Sequence, residues 1–171
     1  NELNKIFSRT RKIDVTLDLS QAIREPKTNL IELEEQEQEE FEDVINDYID
    51  QNSLIDSDGN TTFSPGVTLG LIQKKRQISS SVYGYLNSDE DLDAGFDKYS
   101  DCADAKFIQL SKIIDEVCFK NNKKVIVFAI FKKTLKYLQI RLSKNGIGSI
   151  IIHGGIQDRY NEIQMFKNDA S

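Results

Sequence analysis

The chain of 171 residues has no tryptophan, one methionine, one histidine, two prolines and two cysteines. Each scarcity excludes something. Cys102 and Cys118 are too few for a disulfide scaffold and lack metal-ligand spacing, which points to a reducing cytoplasm. The lone histidine, His153, has no local partners from which a catalytic triad or a zinc site could be built. No apolar run approaches the ~20 residues a membrane helix needs, and no signal peptide opens the chain, so no membrane partner is expected. A Gly-rich loop ending in Gly-Lys-Ser or Gly-Lys-Thr is missing too, so no phosphate cradle of that type is present. Hydrophobic residues make up 39% and charged residues 29%, ordinary for a cytosolic protein, and the length suits one domain or a little more. The chain opens at Asn1 and stops just after a helical pattern, as a piece of something larger would.

Its formal net charge of −6 conceals a division. Residues 1–104 hold 23 acids and 10 bases, whereas residues 105–171 hold 5 acids and 12 bases. Different partners are expected for the two parts. The acidic total therefore does not argue against nucleic-acid binding by the second.

Residues 1–24 carry the basic cluster Arg9, Arg11 and Lys12. After Pro26, Lys27 to Leu33 alternates apolar with polar and reads as a short strand. Glu34 to Asp50 places Phe41, Val44, Ile45, Tyr48 and Ile49 at helical spacing. Ten acids and no base lie between Glu32 and Asp50; that face is either simply solvated or an acidic docking surface. Residues 51–64 read as a loop, and Pro65-Gly66 opens a second helical region. Residues 88–101 are Asp- and Ser-rich, with few apolar anchors, and read as a mobile linker and domain boundary. Within them Asp89-Glu90-Asp91 reads as solvated charge rather than as a metal motif, because it follows no apolar strand.

Beyond the linker, Asp104 is placed to cap a helix whose stripe is Phe107, Leu110, Ile113, Ile114 and Val117. Lys124 to Ala129 is a continuous apolar run suited to a parallel strand covered on both faces. Phe131, Leu135, Leu138 and Leu142 mark the next helix, stopped by Asn145-Gly146. Ser149 to His153 reads as a second buried strand turned by Gly154-Gly155, and Tyr160, Ile163 and Phe166 mark a last helix. The order α-β-α-β-α with short connections predicts an α/β fold with an open parallel sheet. Ligands of such sheets sit beyond the carboxyl ends of the strands. One strand end leads into Lys132, Lys133 and Thr134, the other into His153, Gly154, Gly155 and Arg159. These are phosphate-compatible groups, suited to a phosphodiester backbone held without reading its sequence. The alternatives are lysines scattered on solvated helix faces, and a His153 that bonds only nearby backbone.

The run Lys124-Val125-Ile126-Val127-Phe128-Ala129-Ile130-Phe131-Lys132-Lys133-Thr134-Leu135-Lys136-Tyr137-Leu138 resembles motif IV of superfamily 2 helicases of the Swi/Snf-like branch. Ile152-His153-Gly154-Gly155, Arg159, and Ile163-Gln164-Met165-Phe166 with Asn168 are similar to that family's H-G … R … I-x-x-F-x-N stretch. Asp104-Ala105-Lys106-Phe107 with Leu110 resembles the helix opening the second RecA-like lobe. Arg9 to Val15 resembles the R-T-K/R-x-x-V segment joining the lobes, and Lys75 to Ser81 the R-x-x-x-S-S turn.

The resemblance implies an incomplete RecA-like parallel sheet with flanking helices, preceded by a mostly helical inter-lobe segment. Residues 1–87 would be that segment, 88–103 an acidic flexible linker and 104–171 a truncated C-terminal lobe. It further implies part of an ATP-driven translocase or helicase whose partners are nucleic acid, chiefly the duplex DNA backbone, and the missing N-terminal RecA-like lobe. Lys132, Thr134, His153 and Gly154 would be backbone contacts, with Arg159 structural or touching the backbone. No cofactor is expected in this chain itself; ATP and magnesium are expected for the full-length parent. The competing expectation is a non-catalytic α/β interaction module whose acidic helix binds a basic protein.

Overall fold

The computed structural model of the chain describes residues 25–168. The basic cluster at Arg9, Arg11 and Lys12, and the lobe-joining segment Arg9 to Val15, lie outside them. Contacts divide the chain after Leu30, and every element below belongs to Ile31–Ser171.

Helix α1 spans Glu35–Asn52. Its stripe of Phe41, Val44, Ile45 and Ile49 packs with Ile78 and Val82, and Ile45 is buried. Burying an aliphatic side chain of this size stabilises by about 1.5–3 kcal/mol, and this stripe holds α1 while most of its carboxylates face water, Glu37 being the buried exception. A two-stranded antiparallel hairpin follows, β1 (Leu54–Ile55) and β2 (Thr61–Thr62), inside the segment expected to be loop. Its turn is held by Asp56, whose Oδ1 accepts from the backbone N–H of Asp58 and Asn60, while Gly59 takes φ +82°. Helix α2 (Pro65–Ser80) starts with Ser64 accepting from the Val67 N–H and with proline at its first position.

Short helices α3 (Val82–Leu86) and α4 (Asp89–Asp93) are each opened by a serine cap, Ser81 and Ser88. Helix α5 (Ala105–Ile114) is capped by Asp104, as the sequence predicts, through a 2.7 Å bond from the Phe107 N–H. It runs into a π-helical turn, Asp115–Lys120. Helix α6 (Lys132–Lys144) ends at Asn145, with Gly146 at φ +71°, the left-handed stop expected from Asn-Gly. Helix α7 covers Arg159–Asn168.

Three expectations change. Residues 27–33 form no strand, and neither do 124–129 or 149–153; the hairpin is the only sheet among the described residues. The apolar runs are present, yet Val125–Ile130 and Gly148–Ile152 make no backbone-to-backbone hydrogen bonds among the described residues. A strand exists only through a neighbour's ladder, and here neither run has one. The described residues are thus mostly helical, with a small antiparallel hairpin.

The expected linker, residues 88–103, is no open tether. Leu92 is buried with Tyr83 and Tyr137. Asp97 is buried too, its Oδ2 accepting at 2.9 Å from Arg141 Nε and its Oδ1 from Asn87 Nδ2. Arg141 also donates to the carbonyls of Tyr99 and Cys102 and lies over the rings of Phe107 and Tyr137. Burial works against its charge, but Tyr137, Asp97 and Asp104 outweigh that and raise its pKa above the ordinary arginine value. A composition that looks solvated is anchored by one buried ion pair with satisfied hydrogen bonds.

Candidate functional site

Four of the six residues singled out by the sequence come together at one exposed turn. Lys132 is the first residue of α6, whose N-terminus no side chain caps. The turn after Ile152 is closed by the Ile156 N–H donating to the His153 carbonyl at 3.1 Å. His153 Nδ1 accepts from the Gly155 N–H at 2.9 Å, which leaves the proton of the neutral ring on Nε2. Arg159, at the start of α7, donates Nη2 to the Gly154 carbonyl at 2.7 Å and Nε to the Ile156 carbonyl at 3.2 Å. Lys132 reaches across to this turn: a β-carbon built on Gly155 would stand 3.7 Å from Lys132 Nζ and 3.1 Å from His153 Cε1. Nothing lies within 4 Å of the corresponding position at Gly154. Any larger residue at 155 would thus press on the imidazole, while Gly154 leaves its backbone open to a ligand.

The geometry gives these residues different parts. Arg159 braces the turn, since its guanidinium serves two carbonyls of the turn it follows. Lys132 and the His153 Nε2 edge are the donors left at the surface, beside the uncapped first turn of α6. Such a cluster of N–H donors and one cation suits an anion better than a neutral ligand. One carboxylate stands close in sequence, Asp158, which is committed to Asn161 at the start of α7.

Lys133 and Thr134 do not join the cluster. Thr134 is buried, its Oγ1 3.0 Å from Ser80 Oγ, so the hydroxyl expected to meet phosphate instead ties α6 to the end of α2. Lys133 donates to the Tyr85 carbonyl at 2.9 Å and lies 4.0 Å from Asp89. The physical reason is helical geometry: successive residues of the first turn point about 100° apart, and only Lys132 faces the glycine turn. Gly155 is the residue the site gains. The doublet Gly154-Gly155 is its sequence signal, because a close approach by a side chain needs a missing β-carbon.

On the other side of α6 a groove of about 510 Å³ is lined by Ser80, Phe107, Leu110, Phe131 and Leu138. The polar residues Arg76, Ser79, Ser81, Asp104, Lys106 and Thr134 line it as well. Among the described residues no group of three or more His, Cys, Asp or Glu side chains is placed to hold a metal ion. No helix of the described residues is long and apolar enough to cross a membrane. No family model, curated protein or solved structure matches the chain.

Proposed function

We propose that this chain is the part of an ATP-driven, Swi/Snf-like nucleic-acid translocase that comprises the inter-lobe segment and the start of the second RecA-like lobe. Its task in that reading is to hold a phosphodiester backbone. The observation that carries it is the meeting of Lys132, His153, Gly154 and Arg159 at one exposed turn, from two motifs separated by a whole helix. Motif order supports it as well: the Asp104 helix opening, the apolar run into Phe131-Lys132, and the His-Gly-Gly turn followed by Arg159 occur in the sequence of the helicase pattern. The runs Val125–Ile130 and Gly148–Ile152 would be the strands of the lobe's sheet, laddered once further strands stand beside them.

ATP and magnesium belong to the parent in this reading. The residues here do not fit them, for no Gly-Lys-Ser/Thr loop exists in the chain and, among the described residues, no group of three or more His, Cys, Asp or Glu side chains is placed to hold a cation. No step of hydrolysis is therefore assigned to any residue of this chain.

Titration of a labelled duplex across salt tests the proposal. Binding is expected to be weak and indifferent to sequence, and to fall as salt rises because phosphate contacts release counterions. Lys132→Ala should weaken it for every duplex alike and make the salt slope shallower by about 0.9, the share of one phosphate contact. Salt-insensitive or sequence-selective binding would refute the proposal.

One observation favours the second reading, an acidic module for a basic protein. Glu35, Glu39, Glu42, Asp43, Asp47 and Asp50 of α1 are exposed, and none of them forms an ion pair among the described residues. Loss of a basic protein partner on neutralising those residues, with duplex binding absent, would decide for it.

A further inference from the structure

Three aspartates of the expected linker recur every fourth residue, Asp89, Asp93 and Asp97, and each stands against a cation of α6. Asp97 pairs with Arg141 at 2.9 Å, Asp93 with Lys136, and Asp89 with Lys133 at 4.0 Å. The aspartates of these pairs become more exposed in order, from Asp97 to Asp93 to Asp89. The Asp97–Arg141 side chains are 0% and 7% exposed, those of Asp93 and Lys136 are 60% and 38% exposed, and Asp89 is 75% exposed. The weakest pair is thus at the end of α6 where Lys132 meets the glycine turn.

We propose that Asp93, with Asp89 beside it, forms a built-in counter-ion strip that competes with nucleic-acid phosphates for Lys136, while Lys133 stays on the Tyr85 carbonyl, so that α4 limits the affinity of the adjoining backbone site. The inference rests on the backbone-binding reading above and adds its regulation. The strip is held by its buried end: parting Asp97 from Arg141 would strand a charge away from water. Its outer two pairs are solvent-screened, and pairs of that kind contribute little. A phosphate backbone brought to Lys132 presents charge of the same sign to Lys136, one turn on along the same face of α6. Exchange of carboxylate for phosphate is therefore cheap at Asp93 and closed at Asp97.

The test compares duplex binding across salt for the 171-residue chain, for Asp89→Asn/Asp93→Asn, and for Asp47→Asn/Asp50→Asn on α1, which changes net charge equally but far from the strip in sequence. The strip variant should bind up to about tenfold more tightly at low salt. Its salt slope should be steeper by up to about 0.9, the share of one freed lysine, Lys136. An equal gain in the α1 variant would overturn the proposal, since net charge alone would then explain it. Salt-dependent binding with no gain in the strip variant would overturn it too, while leaving the backbone-binding reading intact. Absence of salt-dependent binding in all three would overturn both. Hydrogen exchange on the unsubstituted chain gives a check that does not depend on the variant's folding. Adding duplex should speed exchange at the α4 amides of Ala94 and Gly95, and unchanged protection at a saturating duplex concentration would refute competition.

Discussion

At the scale of single residues, the most consequential side chain is one the sequence presents as ordinary. Glu37 sits in a run of acids, yet it is 1% exposed. Its Oε2 accepts from the Ala105 N–H at 3.0 Å, pinning α1 to the first turn of α5 across 68 residues. Burial raises its pKa above the usual value near 4.5, the nearby Asp104 carboxylate adds to that, and the bonds from the Ala105 and Glu34 N–H groups and Lys106 oppose it. The sign follows from proton counting. The folded chain holds the Glu37 proton more tightly than the unfolded chain, so this group's contribution is favourable at low pH and is lost as pH rises through the raised pKa. Glu37→Gln keeps an acceptor for Ala105 without the charge, and should be at least as stable as the parent in urea at pH 7, the difference closing toward pH 4.5. Glu37→Ala leaves the Ala105 N–H unpaired and should cost about 1–3 kcal/mol. A Glu37→Gln variant that unfolds as readily as Glu37→Ala at pH 7 would contradict this account. Period and composition cannot distinguish Glu37 from Glu35 or Glu39, because the partner that matters is a backbone amide far along the chain.

At the scale of elements, helices are legible and strands are not, for one reason. A helix closes its hydrogen bonds within a few residues, so caps such as Asp104 and stops such as Asn145-Gly146 announce it locally. A strand needs a neighbour that the local sequence does not specify, and the apolar runs at 125–130 and 148–152 have none here. The expected linker fails by the same logic in reverse, since its order comes from Arg141 and Tyr137 on a distant helix. Packing at α3 is similarly hidden. A β-carbon at Gly84 would stand 2.7 Å from Ser81 Oγ and 3.2 Å from Tyr137 Cδ1, so the missing side chain is what lets α6 close against α3. Gly84→Ala should therefore destabilise by about 1–3 kcal/mol through overpacking, despite the better helix propensity of alanine. Denaturant unfolding at neutral pH measures it, and a neutral or stabilising change would show that α3 and α6 have room to part.

At the scale of the molecule, the charge division is legible from composition, but its use is not. Of the candidate site, Lys132, His153, Gly154 and Arg159 are placed together, whereas Lys133 and Thr134 are turned to structural work by helix phase. The molecule also leaves Phe128 91%, Ile130 75% and Ile126 68% exposed. Such an apolar run without a ladder is a site for association with other chains. Phe128→Lys should lower self-association seen by light scattering at micromolar concentration and leave the unfolding midpoint unchanged, because the ring buries almost nothing. Equal scattering by the variant would place the associating surface elsewhere.

Several cations of the basic part are spent on carbonyls of distant segments. Lys106 donates to Ser79 at the end of α2, Lys133 to Tyr85 in α3, and Arg141 to Tyr99 and Cys102. Each of these ties closes a loop of tens of residues, whose entropy must be surrendered before the bond is made. The acidic and basic parts are therefore not two folding units that happen to be adjacent. Cut between Asp104 and Ala105, where composition changes sign, the chain would lose the donors that serve the carbonyls of α2, of α3 and of Tyr99 and Cys102, and the acids that pair with the cations of α6. The boundary most visible in the sequence is the seam along which the molecule is stitched.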